Sequence, residues 1–251
     1  MTTDLFSLAG RTALITGGSR GIGRMIAAGF IAQGAKVYIS ARKAPACNQT
    51  AEEIGAVALP ADVSTLDGMK ALAEAYGAHE SSLDILVNNA GAAWLAPFDD
   101  FPEKGWDKVM DLNVKTPFYL TAALAPMLRA SASADRPAKV INIASIDGIS
   151  VNPQETYPYA ASKAGLIHLT RRMAKTLIAD NIVVSAIAPG AFASEMNIAA
   201  RDQAEAVAAR VPARRIGRDE DMAGAAIYLA SRAGNYVVGA TLTVDGGVAF
   251  C

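Results

Sequence analysis

The stretch Leu14-Ile15-Thr16-Gly17-Gly18-Ser19-Arg20-Gly21-Ile22-Gly23 leads an apolar strand into a glycine-rich turn, and Met25 to Gln33 leaves that turn with helical spacing. Glycines at 17, 21 and 23 permit a tight turn and close backbone approach. The helix that follows presents unpaired N–H groups and a partial positive charge at its start, a seat for a pyrophosphate. The expected context is the first β-turn-α unit of an α/β sheet. The spacing departs from the common G-x-G-x-x-G fingerprint, and Gly17 to Gly21 also satisfies G-x-S-x-G, the nucleophile elbow of serine hydrolases. That competitor needs an acid and then a histidine. The chain has only His79 and His168, and His168 lies inside a helical stretch rather than on a late loop.

Working outward, the next signal is Ser40-Ala41-Arg42-Lys43. An NAD site places Asp or Glu about 20 residues beyond the glycines, to bond the adenosine 2′-hydroxyl. Here no carboxylate occurs between Lys36 and Glu52, and Arg20 sits in the turn itself. A guanidinium grips a 2′-phosphate that a carboxylate would repel. The expected cofactor is therefore NADPH/NADP+, although such a basic pair is also compatible with a solvated strand end.

Composition narrows the classes. Hydrophobic residues make up 52% of 251 and charged residues 19%, enough for one large α/β core. A net charge of −1 gives no electrostatic footprint for nucleic acid or an anionic membrane. Met1 to Gly10 carries Asp4 and shows no basic start before an apolar run, so no signal peptide is expected. No run of about 18 apolar residues is present to span a bilayer. Cys47 and Cys251 lack ligand-like spacing and read as free thiols of a cytoplasmic protein, with no metal site.

Strand patterns at Thr12–Thr16, Lys36–Ser40, Val57–Pro60, Ile85–Asn88, Val140–Ala144, Val183–Ala188 and Thr241–Val244 alternate with helical ones. The expectation is a single α/β Rossmann-type domain over residues 1–251. Its doubly wound parallel sheet would have about seven strands, with helices on both faces. Residues 131–137 read as a polar surface excursion. Residues 190–217, strandless apart from a short helix at about 201–209, read as a substrate lid.

Tyr159-Ala160-Ala161-Ser162-Lys163 puts a phenol and an ammonium four apart on one helical face. A tyrosine titrates near 10, too high for efficient proton transfer at neutral pH, and an adjacent cation lowers it. Each unit corresponds to about 1.4 kcal/mol, so a large shift needs a close, desolvated pair and further positive charge. Tyr157 precedes Pro158, which biases it away from helical geometry, so it is expected outside the helix. His168 lies nine positions after Tyr159, half a turn out of phase, and is expected to face away.

Thr16-Gly17-x-x-x-Gly21-x-Gly23, Asn88-Asn89-Ala90-Gly91, Asn113, Ser145, Tyr159-x-x-x-Lys163 and Pro189-Gly190 occur in order. Together they resemble the short-chain dehydrogenase/reductase superfamily over essentially the whole chain, to Val244-Asp245-Gly246-Gly247. Residues Phe6 to Arg11 and Arg129 to Ala134 are most similar to NADPH-dependent 3-oxoacyl-acyl-carrier-protein reductases of the rhamnolipid-synthesis branch.

The resemblance implies that Tyr159 is the general acid and that Lys163 holds the nicotinamide ribose and depresses the phenol's pKa. Ser145 would donate to the substrate oxygen, and Asn113 would anchor a water relay. For the cofactor it implies Gly17, Ser19, Arg20, Gly21, Ile22, Gly23 and Arg42, with Asp62 and Val63 at the adenine. Asn89, Ala90 and Gly91 would flank the adenosine side, and Pro189, Gly190 and Ser194 would seat the nicotinamide. The implied reaction reduces a ketone or 3-oxoacyl thioester, in a homotetramer. A catalytically silent dinucleotide-binding regulator is the contrasting class, and the complete set Asn113, Ser145, Tyr159 and Lys163 argues against it.

Some features leave the substrate open. Phe192, Met196, Ile198, Val207 and Val211 in the lid suit an apolar substrate. Arg201, Arg210, Arg214 and Arg215 suit a phosphopantetheine or an acyl carrier protein, or equally a solvated face. Asp180-Asn181 stands where many carrier-protein reductases are basic, a departure that weakens the case for an acidic carrier. Pro117, four residues after Asn113, has no N–H to return to the Asn113 carbonyl, which would leave that carbonyl for a relay water or mark a plain helix kink.

Overall fold

Alternation along the first strand sets two apolar layers. In the computed structural model, which describes residues 5–251, β1 (Thr12–Thr16) sends Ala13 and Ile15 into one buried cluster and Leu14 into the other. The stretch read above for a leader falls partly on residues 1–4, outside the described residues.

The turn after β1 enters α1 (Gly21–Ala32). Then follow β2 (Lys36–Ser40), α2 (Ala44–Ile54), β3 (Val57–Ala58), α3 (Leu66–Gly77) and β4 (Ile85–Asn88). The second half runs through α4 (Glu103–Met110), α5 (Thr116–Ser131), β5 (Ala138–Ile143), α6 (Tyr157–Leu177) and β6 (Ile182–Pro189). Two short helices, α7 (Ile198–Asp202) and α8 (Ala204–Ala208), precede α9 (Asp219–Ala230) and β7 (Thr241–Val244).

The seven strands form one sheet in the order β3-β2-β1-β4-β5-β6-β7, every neighbouring pair parallel. The single α/β domain with seven parallel strands matches the expectation. The strand order reverses between β1 and β4, and open α/β sheets bind ligands in the crevice at the carboxyl ends beside such a point. Helices α1, α2 and α9 cover one face and α3, α5 and α6 the other. At Gly29 a Cβ would stand 2.6 Å from Ala223 Cβ, so α1 and α9 cross at a contact only glycine permits.

Several boundaries differ from the sequence reading. The third strand stops at Ala58, because Pro60 has no N–H for a ladder. The helical run 106–128 is interrupted by a π-turn, Asp111–Lys115, in which the Thr116 N–H reaches back five residues to the Asp111 carbonyl. Pro117 explains the shift, since it offers no N–H to Asn113 in ordinary helical register. Residues 198–208 form two helices rather than one, the first capped by Asn197, whose Oδ1 accepts from Ala200 N. Tyr157 is the first residue of α6 rather than lying outside it. Proline at the second helical position costs no intrahelical bond there.

Among the described residues no helix is long and apolar enough to cross a membrane, and no group of metal-ligating side chains is present. Cys47 and Cys251 are both free thiols.

The amino-terminal end of the sheet carries a buried charge cluster. Asp84 pairs with Arg136 at 3.1 Å and Arg11 at 3.7 Å, and its Oδ2 accepts from Thr12 N. Lys139, on β5, is 1% exposed, and its Nζ has no hydrogen-bond partner. Burial, with Arg11 nearby, pushes the ammonium down to about 7. Between pH 7 and the ordinary lysine range the native side chain is neutral and the unfolded one charged, so native stability rises with pH through that window. Lys139→Met should stabilise the protein by about 1–2 kcal/mol at pH 7. In thermal melts its advantage should shrink toward pH 10, and an advantage that does not change with pH would contradict the assignment.

Candidate active site

The glycine turn is built for close approach. Gly17 and Gly21 adopt φ of +65° and +51°, and a Cβ on Gly23 would lie 2.3 Å from the Gly17 carbonyl oxygen. Asn89, just past β4, braces the turn: its Nδ2 donates to the Thr16 and Gly17 carbonyls at 2.9 and 3.1 Å. Thr16 Oγ1 accepts in return from the N–H groups of Asn89 and Ala90. Thr50 of α2 donates to the Ser19 carbonyl at 2.8 Å. The start of α1 has no side-chain cap and no acid in its first turn, so its N–H groups stay available to an anion.

At the carboxyl end of β2, Arg42 and Lys43 are exposed on the same cleft and have no hydrogen-bond or ion-pair partner among the described residues. Arg20 instead meets Glu195, an ion pair bridging the cleft. A glycine cradle, an uncapped helix start and two uncommitted cations fit a phosphorylated dinucleotide. Asp62 bonds Ser64 through Oδ1, and the Val63 carbonyl accepts from Thr116 Oγ1 at 2.7 Å, fixing the loop at the cleft's far wall.

Ser145, just past β5, meets Tyr159 and Lys163 of α6 on the cleft wall. Ser145 stands at the end of β5, its Oγ accepting the Asp147 N–H at 3.1 Å, which leaves the hydroxyl proton for another acceptor. Tyr159 and Lys163 lie one turn apart, with Nζ 5.5 Å from the phenol ring centroid. That ammonium donates to the Ile143 carbonyl at 2.8 Å. A Cβ on Gly148 would fall 2.6 Å from the backbone at Lys163 and Ala164, so the turn carrying Ser145 packs directly on α6.

Burial pushes the Tyr159 phenol up to about 12, with the Ser145 hydrogen bond opposing and the Asp147 charge reinforcing the rise. Burial pulls Lys163 down to about 8, and Asp147 opposes that fall. Burial dominates the phenol, and Lys163, expected to depress it, is not among the groups that shift it.

Asn113 sits behind the site, not in it. Its Oδ1 accepts from Ala92 N and its Nδ2 donates to the Ala92 carbonyl, both at 2.9 Å. The same Nδ2 reaches Ser162 Oγ at 2.9 Å, and that hydroxyl donates to the Tyr159 carbonyl.

One cleft of about 1090 Å³ gathers the rest. Gly17, Ser19, Arg20, Gly21, Ile22, Arg42, Asp62, Val63, Asn89, Ala90, Gly91, Ser145, Tyr159, Lys163, Pro189, Gly190 and Ser194 all line it, whereas Gly23 and Asn113 do not. Sequence reasoning missed Thr50, Asp147, Ser162 and Glu195. A buried serine one position before Lys163 carried no pattern to reveal it. Tyr157 lies off the cleft, its ring packing edge-on against Phe98 and Phe101 and its hydroxyl donating to Glu155. His168 is exposed, away from Tyr159 as expected.

A family model described as enoyl-(acyl carrier protein) reductase matches residues 17–249. The chain belongs to the short-chain dehydrogenase/reductase family. Within that family it is 51% identical over 249 residues to the rhamnolipids biosynthesis 3-oxoacyl-[acyl-carrier-protein] reductase of Pseudomonas aeruginosa, covering 96% of this chain and 97% of that one. The Pseudomonas aeruginosa RhlG/NADP active-site complex superposes with a TM-score of 0.95 at 48% identity, covering 99% and 100% of the two chains. A gluconate 5-dehydrogenase from Burkholderia cenocepacia, in complex with NADP and tartrate, gives 0.87 at 35% identity, covering 99% and 98%.

Arg42→Asp should reverse the cofactor preference. Losing one charge-assisted phosphate contact should lower the NADPH-to-NADH ratio of kcat/KM by about 10–100-fold. Steady-state rates with both cofactors measure it, and an unchanged ratio would show that Arg42 is only a solvated strand end.

Proposed function

We propose that the protein is an NADPH-dependent reductase of 3-oxoacyl thioesters, yielding 3-hydroxyacyl products. The observation that carries the substrate class is the apolar part of the cleft wall. Trp94, Leu95, Met196 and Ile198 line it, with Leu95 63%, Met196 51% and Ile198 56% exposed to the cleft and solvent. The cations on the cleft wall are Arg20, Arg24, Arg42 and Lys43, all near the glycine turn and the end of β2, and Lys163. Of the lid arginines, Arg201 pairs with Asp202, Arg215 with Asp221, and Arg214 donates to the Ala209 carbonyl. None of them, nor Arg210, lines the cleft. A sugar acid of the kind named for the gluconate dehydrogenases would find little countercharge beside the carbonyl site, whereas an acyl chain would find apolar surface.

Bound NADPH supplies the hydride to the carbonyl carbon. Ser145 donates its free hydroxyl proton to the carbonyl oxygen, and Tyr159 passes its phenolic proton there as charge develops. A phenol held near 12 is fully loaded at neutral pH, and an alkoxide is basic enough to take its proton. Lys163, tethered to Ile143, keeps two further protons for ribose hydroxyls. The Asn113 carboxamide is spent on protein partners, so its contribution to a proton relay falls to its main-chain carbonyl, which Pro117 cannot occupy. Asp62 and Val63 would meet the adenine, Asn89 to Gly91 the adenosine side, and Pro189, Gly190 and Ser194 the nicotinamide. Residues 190–217 would close over the substrate as a lid.

The working form we infer is a cytoplasmic homotetramer. Half-exposed Trp106, Phe118 and Tyr119 on α4 and α5 favour helix-pair contacts, and the two free thiols suit a reducing compartment. Asp180, which stands where a basic residue would favour an acidic carrier protein, is engaged with Arg129.

A rate panel tests the reading. 3-Oxoacyl-CoA esters should oxidise NADPH, while 5-ketogluconate and 2-enoyl thioesters should not, and preference for either of those would overturn it. Tyr159→Phe should cut turnover by about 10³-fold with NADPH binding retained. Because Lys163 carries its charge only below about 8, kcat/KM for reduction should be flat below that pH and fall above it. A profile rising through pH 8 to 10 would contradict the assigned charge state.

A further inference from the structure

The proton-transfer site contains a carboxylate that the mechanism above does not use. Asp147 lies two residues after Ser145, half-buried on the cleft wall, and its side chain has no hydrogen-bond or ion-pair partner among the described residues. Its place is fixed from both sides. Its own N–H is bound to Ser145 Oγ, and Gly148 next to it is pressed onto the Lys163–Ala164 backbone.

We propose that Asp147 is a specificity-determining residue whose carboxylate excludes ketones carrying a negative charge near the carbonyl and so selects neutral 3-oxoacyl esters and thioesters. This deepens the reading of the site as a 3-oxoacyl thioester reductase and rests on it. The hydroxyl that would hold the substrate oxygen accepts the N–H of the residue bearing the charge, so a β-carboxylate on the substrate would be brought near a like charge in a partly desolvated cleft. Lys163, a cation on the same wall, donates to the Ile143 carbonyl and so is already partly committed. The Asp147 charge favours the protonated form of both neighbouring side chains, raising the Tyr159 phenol and the Lys163 ammonium. A thioester places an uncharged group where the acid would place its carboxylate, so the two differ in the one property this residue senses.

The matched pair ethyl acetoacetate and acetoacetate, the same ketone as ester and as anion, isolates the effect. NADPH oxidation gives kcat/KM for each, and the wild-type ester-to-acid ratio should fall by at least about tenfold in Asp147→Asn. Asp147→Glu, which keeps the charge, should hold the ratio near wild type and so separate charge from packing. An equal ratio in wild type and Asp147→Asn overturns the inference while leaving the thioester reading intact. Wild-type preference for the acid, or turnover of neither ketone, overturns that reading and the inference with it.

Discussion

A single carboxamide holds three segments around the cleft in register. Asn113 uses its oxygen and both amide protons on Ala92, at the cleft-side loop after β4, and on Ser162, inside α6. Three segments distant in sequence are thereby pinned at one buried point, and Ser162 passes the constraint to the Tyr159 carbonyl. In a low-dielectric interior such a fully satisfied network specifies one geometry, since any displacement strands a polar group. The π-turn at Asp111–Lys115 is what turns Asn113 inward, and Pro117 is the covalent reason the helix is in that register.

A second buried network reaches into the sheet, less completely satisfied, since the Asn88 Oδ1 has no hydrogen-bond partner. Asn88 of β4 donates to Asn142 of β5 at 2.9 Å and to Thr121 of α5, and Asn142 donates to Thr170 of α6. These polar groups sit in an otherwise apolar layer and lock α5 and α6 against the two strands whose ends carry Asn89 and Ser145. The cofactor half and the proton-transfer half of the cleft are therefore positioned by one continuous framework. Parallel strands make this possible, because all their carboxyl ends open on the same edge.

Much of this was legible in the residues, for physical reasons. The glycine turn announces itself because glycine most readily accepts φ of +65° and +51°, found at Gly17 and Gly21, and because a Cβ on Gly23 would strike the Gly17 carbonyl. Tyr159 and Lys163 are readable because helical periodicity places them together, and the missing acid after β2 speaks through its neighbours Arg42 and Lys43. Other features depend on tertiary contacts that no local pattern encodes. Burial decides that the Tyr159 phenol goes up and not down, and the closure of Gly148 on α6 places Asp147 on the cleft wall. Tyr157 was misplaced because the bias that a following proline imposes yielded to the start of a helix that proline itself favours. Lys139 lay outside the strand read at Val140–Ala144, and only the structure places it on β5, buried near Arg11 with its Nζ unpartnered.

The most direct test of the account follows the hydrogen itself. NADPH deuterated at the transferable position, incubated with the protein and a 3-oxoacyl-CoA, should give a 3-hydroxyacyl product with one deuterium on the former carbonyl carbon, read by mass spectrometry. Product lacking that deuterium, or a thioester hydrolysed with its ketone intact, would contradict the account.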